Sequence, residues 1–141
     1  MIKKNLYKSP IIKTITRFII PYICLYSLYI QVNGEISPGG GFQAGVIFAS
    51  AIIAADLVYS KNLMHFSIGF LRIIAVIGVM IYTGVGFIPM IFDSYYLDYS
   101  VLANDKFLAQ TIGIFTIELG VGLTVAAVMY LIYFILQETQ N

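Results

Sequence analysis

The chain has 141 residues, 60% of them apolar and 11% charged, with a mean hydropathy of +0.89; a soluble domain carries about 25% charged residues. Eight basic and seven acidic side chains cannot cover a soluble surface, and a net charge of +1 argues against nucleic acid, which demands a clustered basic surface. The expectation is an all-α integral membrane protein. Four spans of about 20 residues with short connections use most of the length, leaving one membrane domain over residues 1–141 and no room for a catalytic one.

The first apolar run covers about 15–32 and follows Lys3, Lys4, Lys8, Lys13 and Arg17. It is longer than the ~7–15 residues of a signal-peptide core, and Gln31-Val32-Asn33-Gly34 offers no small-x-small cleavage site, so it reads as a retained helix. Within it Cys24, the one cysteine, has no second thiol for a disulfide or a thiolate metal site. The second run, 41–59, starts after Pro38-Gly39-Gly40 and stops before Lys61 and Asn62. Gly41, Gly45 and Ala49 recur every four residues, as do Ala51 and Ala55, which suits close helix contact either within the chain or with a neighbouring subunit. The third run, 68–92, carries Arg72 near its start, where it can snorkel to the interface, and Pro89 near its end. The fourth, 111–136, places Gly113, Gly120 and Ala127 at intervals of seven and ends in a polar tail.

Basic residues gather in the amino-terminal tail and in the connection from Lys61 to Arg72, so both termini are expected on the cytoplasmic side. That asymmetry also argues against a dual-topology dimer. The outer connections are then 33–40, with Glu35, and 93–110, with Asp93, Asp98 and Asp105. Tyr95, Tyr96 and Tyr99 are expected to anchor at headgroup level.

Pro38, Gly39, Gly40, Gly41 and Phe42 stand where the chain re-enters the membrane. Backbone bared in this way is tolerated at membrane depth only when buried in protein or lining a wet cavity; the alternative is a tight turn that lets helices press together. Gly39-x-Gly41-x-x-Ala44 also matches a relaxed dinucleotide fingerprint, but without the strand that device requires. Glu118 lies about a third of the way along the fourth span, with no loop expected within its reach. A carboxylate there takes up a proton or meets a cation, a water chain or a basic partner, which suits an ion or proton relay; a protonated acid hydrogen-bonded across a helix interface is the structural alternative. Asp56 is close in depth to Arg72, and an ion pair between them is expected. Failing that, Asp56 and Glu118 are the entry and interior stations of one path, bridged by other groups. His65 reads as a solvated residue of the cytoplasmic connection. Paired histidines, a Ser/His/Asp set and an acidic metal cluster are all missing from the pattern, so neither enzymatic activity nor a metal or other cofactor is expected.

Gly34-Glu35-Ile36-Ser37-Pro38-Gly39-Gly40-Gly41-Phe42-Gln43-Ala44-Gly45 resembles the Pro-Gly-Gly-Gly-Phe segment of the B subunits (MnhB/MrpB) of Mrp-type multisubunit sodium/proton antiporters. Glu118-Leu119-Gly120-Val121-Gly122-Leu123-Thr124 is similar to that family's acidic-x-Gly-Val stretch. The resemblance covers the chain from about Ile30 to Leu136. It implies a small subunit of a bacterial inner-membrane assembly related to respiratory complex I and membrane-bound hydrogenases, with other subunits and the bilayer as partners and Na+ and H+ as the exchanged ions. One departure is visible: members of the family often have histidine where Glu35 stands, so a neutral-to-cationic switch near a pH of about 6.5 is lost.

The leading expectation is a non-catalytic subunit of a sodium/proton antiporter that contributes to the ion path and to assembly, with Glu118, Asp56 and Glu35 as path candidates and Pro38 to Phe42, with Gly45, shaping the re-entry. A purely structural scaffold of a complex I-like or hydrogenase-like assembly is the alternative. An autonomous small multidrug exchanger fits less well, because the first helix carries no acid.

Overall fold

A computed structural model describes residues 9–34, 39–59 and 66–139. They form four long helices, α1 (Pro10–Val32), α2 (Gly40–Tyr59), α3 (Ile68–Ile91) and α4 (Lys106–Thr139), with a short 3-10 turn at Tyr99–Val101. All four are long and apolar enough to cross a membrane, as the four apolar runs require, and no strand occurs among the described residues.

The helix starts follow from local chemistry. Proline opens α1 ahead of the apolar run, because the first helical N–H has no partner to lose. Ser67 caps α3, its hydroxyl accepting from the Phe70 amide at 3.2 Å. The fourth helix begins at Lys106, not near Thr111, and continues to Thr139. Asp105 starts it: its side chain accepts from the Phe107 amide at 3.0 Å and its carbonyl from the Ala109 amide at 2.9 Å, the geometry of a helix N-cap.

α1 packs on α2, and α4 packs on both α2 and α3. α2 and α4 run parallel: Gly41 lies against the Glu118 carbonyl and Gly45 against that of Gly122, while Asp56 meets Tyr133 at the same offset of 77 residues. α3 runs the other way, with Gly78 pressed on Gly120 and Thr124, and the Thr124 hydroxyl donates to the Ala75 carbonyl at 3.2 Å.

Most buried positions on α2 and α4 are small, Val58 and Tyr130 being the exceptions. The small ones include Gly41, Ala44, Gly45, Ala49 and Ala51 on α2 and Gly113, Gly120, Gly122 and Ala127 on α4. Lipid is as apolar as leucine, so dispersion packing between close backbones holds the helices, and small residues permit that approach. The glycine and alanine repeats therefore meet largely inside the chain. Many large side chains face outward; Phe18, Tyr22, Leu25 and Tyr29 of α1 are each more than half exposed.

Candidate functional site: a carboxylate under a glycine turn

Glu118 lies against Gly34 at the end of α1 and against Gly40 and Gly41 at the start of α2. A Cβ on Gly34 would collide with Glu118 Oε2, one on Gly40 would stand 2.5 Å from Oε1, and one on Gly41 would strike the Glu118 carbonyl. Gly39 and Gly40 have φ values of +121° and +39°, which glycine adopts without the Cβ penalty. The Gly39 carbonyl then accepts from the Gln43 amide at 3.1 Å, setting the first turn of α2. Two demands thus meet in one short segment: left-handed backbone at Gly39 and Gly40, and room for a carboxylate at Gly34 and Gly40.

The expectation that no loop reaches Glu118 is overturned. α2 begins level with Glu118, whereas α4 starts at Lys106 and so rises about 18 Å further at ~1.5 Å per residue. The described residues at either side of the α1–α2 connection, Gly34 and Gly40, lie against the flank of α4 at Glu118, well below its tip.

Gln31 of α1 adds a polar group that the sequence reading missed. Its Oε1 would stand 2.5 Å from a Cβ on Gly122, one turn along α4 from Glu118. Its Nε2 is buried and has no hydrogen-bond partner among the described residues. A buried amide donor lacking an acceptor costs about 1–3 kcal/mol. One turn earlier, the buried Ser27 hydroxyl donates to the Ala44 carbonyl at 2.8 Å. The available signal was the i, i+4 spacing of Ser27 and Gln31, two polar residues on one face of an apolar helix.

The other expected site residues distribute as follows. Gly45 is buried against Gly122 and Val125, whereas the Phe42 ring points outward, 63% exposed. Glu35, Pro38 and His65 lie outside the described residues. Asp56 does not pair with Arg72; its Oδ2 accepts from the Tyr133 hydroxyl at 3.1 Å, while Arg72 is exposed. The reason is topological, since the helices carrying Asp56 and Arg72 pack on α4 and not substantially on each other. Nor does the fold bring Asp56 to Glu118. Fifteen residues of helix separate the two levels on α4 (Glu118 to Tyr133), about 22 Å. Between them runs an open groove of about 390 Å³ walled chiefly by apolar side chains such as Phe48, Ile52, Leu123 and Ala126.

The far end of the α3–α4 hairpin is built from side-chain hydrogen bonds. Asp98 accepts from the hydroxyls of Ser94 and Ser100 and from the Ser100 amide, and these bonds, the Ser100 hydroxyl foremost, hold its carboxyl below the usual range. The expected tyrosine anchors divide. Tyr95 is 87% exposed, but Tyr96 rests on Gly86 and Tyr99 on Gly113. Burial, reinforced by Tyr82 and Tyr96, pushes the Tyr99 phenol up from its ordinary value.

The sequence matches a known family. Residues 11–131 match the family model described as a domain related to the MnhB subunit of Na+/H+ antiporter. A Staphylococcus epidermidis protein named "putative antiporter subunit mnhB2" is 32% identical over 125 residues, covering 84% of this chain and 87% of its own length. The protein of the same name from Staphylococcus aureus strain Newman is 32% identical over 89 residues, 62% of each chain. A multi-pass helical membrane protein with its glycine turn closed over Glu118, this chain belongs to the MnhB family.

Proposed function

We propose that the chain is a non-catalytic membrane subunit of a multisubunit sodium/proton antiporter, in which Glu118 is a station of the ion path and the Gly39–Gly41 turn is its cover. The observation that carries this reading is the fit of the Glu118 carboxylate against Gly34 and Gly40. A carboxylate at membrane depth is costly unless a proton, a cation or a polar partner meets it, and here flexible, side-chain-free backbone is held beside it. Gln31 supplies a second polar group on the same side of α4. Larger antiporter-like subunits of the assembly carry the exchange itself. Asp56, joined to Tyr133, stands toward the opposite end of the same two helices and is the second station; Glu35 is the third.

The test is sodium-driven proton movement in inverted vesicles from cells carrying the whole operon, comparing Glu118→Gln with wild type after confirming assembly on the same membranes. An amide keeps the hydrogen bonding and cannot titrate. Collapse of exchange, or a displaced pH optimum, with the complex intact supports the path. Unchanged exchange assigns Glu118 to packing and the subunit to a scaffold role, a reading favoured by the interlock of Gly41 and Gly45 with α4.

A further inference from the structure

A second cavity lies at the other end of the α1–α2 pair. Its volume is about 170 Å³, and Lys13, Thr14, Arg17, Val58 and Tyr59 line it. Water occupies about 30 Å³ per molecule in the liquid, so the space admits a group of several heavy atoms. Lys13 and Arg17 are four residues apart on α1 and share one face. The Arg17 guanidinium stacks over the Tyr59 ring, 5.5 Å from its centroid, an arrangement that occupies its flat face and leaves N–H edges available for an oxyanion.

The electrostatics favour an anion. No acidic side chain is among the described residues that line it. The nearest carboxylate on α2, Asp56, faces α4, where it accepts from Tyr133. Residues 1–34 contain no aspartate or glutamate at all. The surroundings specify which anion. Ile15 and Phe18 on the same stretch of α1 are 55% and 69% exposed, so apolar surface adjoins the two cations where the helix enters the bilayer. A phosphate carrying acyl chains satisfies both surfaces, whereas a free phosphate satisfies one.

We propose that the cavity between the start of α1 and the end of α2 binds the phosphate headgroup of an anionic phospholipid, held by Lys13 and Arg17. Basic pockets between membrane helices are suited to this chemistry. The site is separate from the Glu118 region and does not depend on the ion-path reading.

The test uses the full chain purified in detergent and equilibrated with phosphatidylglycerol or phosphatidylcholine, with retained lipid counted by native mass spectrometry. Wild type is expected to retain phosphatidylglycerol in preference to phosphatidylcholine, and Lys13→Gln with Arg17→Gln to lower that retention by about tenfold. Arg17→Lys keeps the charge and is expected to hold the lipid; Lys13→Gln alone is expected to give a partial loss, so the conclusion does not depend on the double variant folding. Arg72→Gln, on another helix, is expected to have no effect. Equal retention of the two lipids, or undiminished phosphatidylglycerol in the charge-removed variants, overturns the proposal. Displacement of phosphatidylglycerol by inorganic phosphate overturns the lipid assignment and gives the cavity to free anions.

Discussion

The two hairpins of this molecule end in opposite ways. The α1–α2 pair meets α4 at the level of Glu118 through Gly34, Gly40 and Gly41, close approaches that a single Cβ would abolish. The α3–α4 pair rises about 18 Å further along α4 and closes through Asp98, whose serine bonds hold the 3-10 turn. One end is thus shaped by what side chains are missing and the other by side chains that are present. Substitution should injure the first by adding bulk and the second by removing polar atoms.

The largest effect is expected at Gly41. Its Cβ would strike the Glu118 carbonyl, a clash with backbone and not with the end of a flexible side chain. Gly41→Ala is expected to destabilise the fold by about 1–3 kcal/mol, with Gly41→Val losing the protein from the membrane altogether; thermal unfolding in detergent and membrane abundance are the measures. Gly84 supplies the control, since nothing lies within 4 Å of its Cβ position, and Gly84→Ala is expected to be neutral or to stabilise α3 by up to ~1 kcal/mol. Equal damage at both positions would erase the distinction.

A smaller loss is expected from Tyr133→Phe, which strips Asp56 of its one identified donor. The bond is worth about 0.5–1.5 kcal/mol, and the change should leave the glycine turn untouched, as amide exchange in the two regions would report. The smallest effect belongs to the α3–α4 tip. Because the Asp98 carboxyl is held below its ordinary value, its ordering of the turn is fully present above pH 3.8 and is lost as pH falls through the lowered value. Asp98→Asn should therefore speed amide exchange at Tyr99–Val101 at neutral pH, and acid should do the same to wild type, with no change at Gly40 or Gly41 in either case.

Each apolar run exceeds the length a strand or a soluble helix needs, which made the four helices legible in the sequence. The start of α4 was not, because Asp105 reads equally as a loop acid and as a cap, and only the hydrogen bond to Phe107 distinguishes them. Glu118 is conspicuous as an acid in an apolar run, yet its neighbours are not, since the level at which α2 begins is a property of packing and not of position along α4. The same limit misdirected Asp56. Similar depth suggested Arg72, whereas the helix beside it carries Tyr133, a partner 77 residues away. Gln31 passed unnoticed because an amide near the end of an apolar run is ordinary until its burial is known.

The constant register of α2 against α4 has a mechanical consequence. Two parallel rods in one register cannot slip locally: an axial shift of one helical turn, about 5.4 Å, would lift the glycine cover off Glu118 and at the same stroke pull Asp56 beyond reach of Tyr133. The Tyr133 hydroxyl, about 22 Å along α4 from Glu118, is therefore a second mark of the same register, and a shift of either helix would disturb both contacts together.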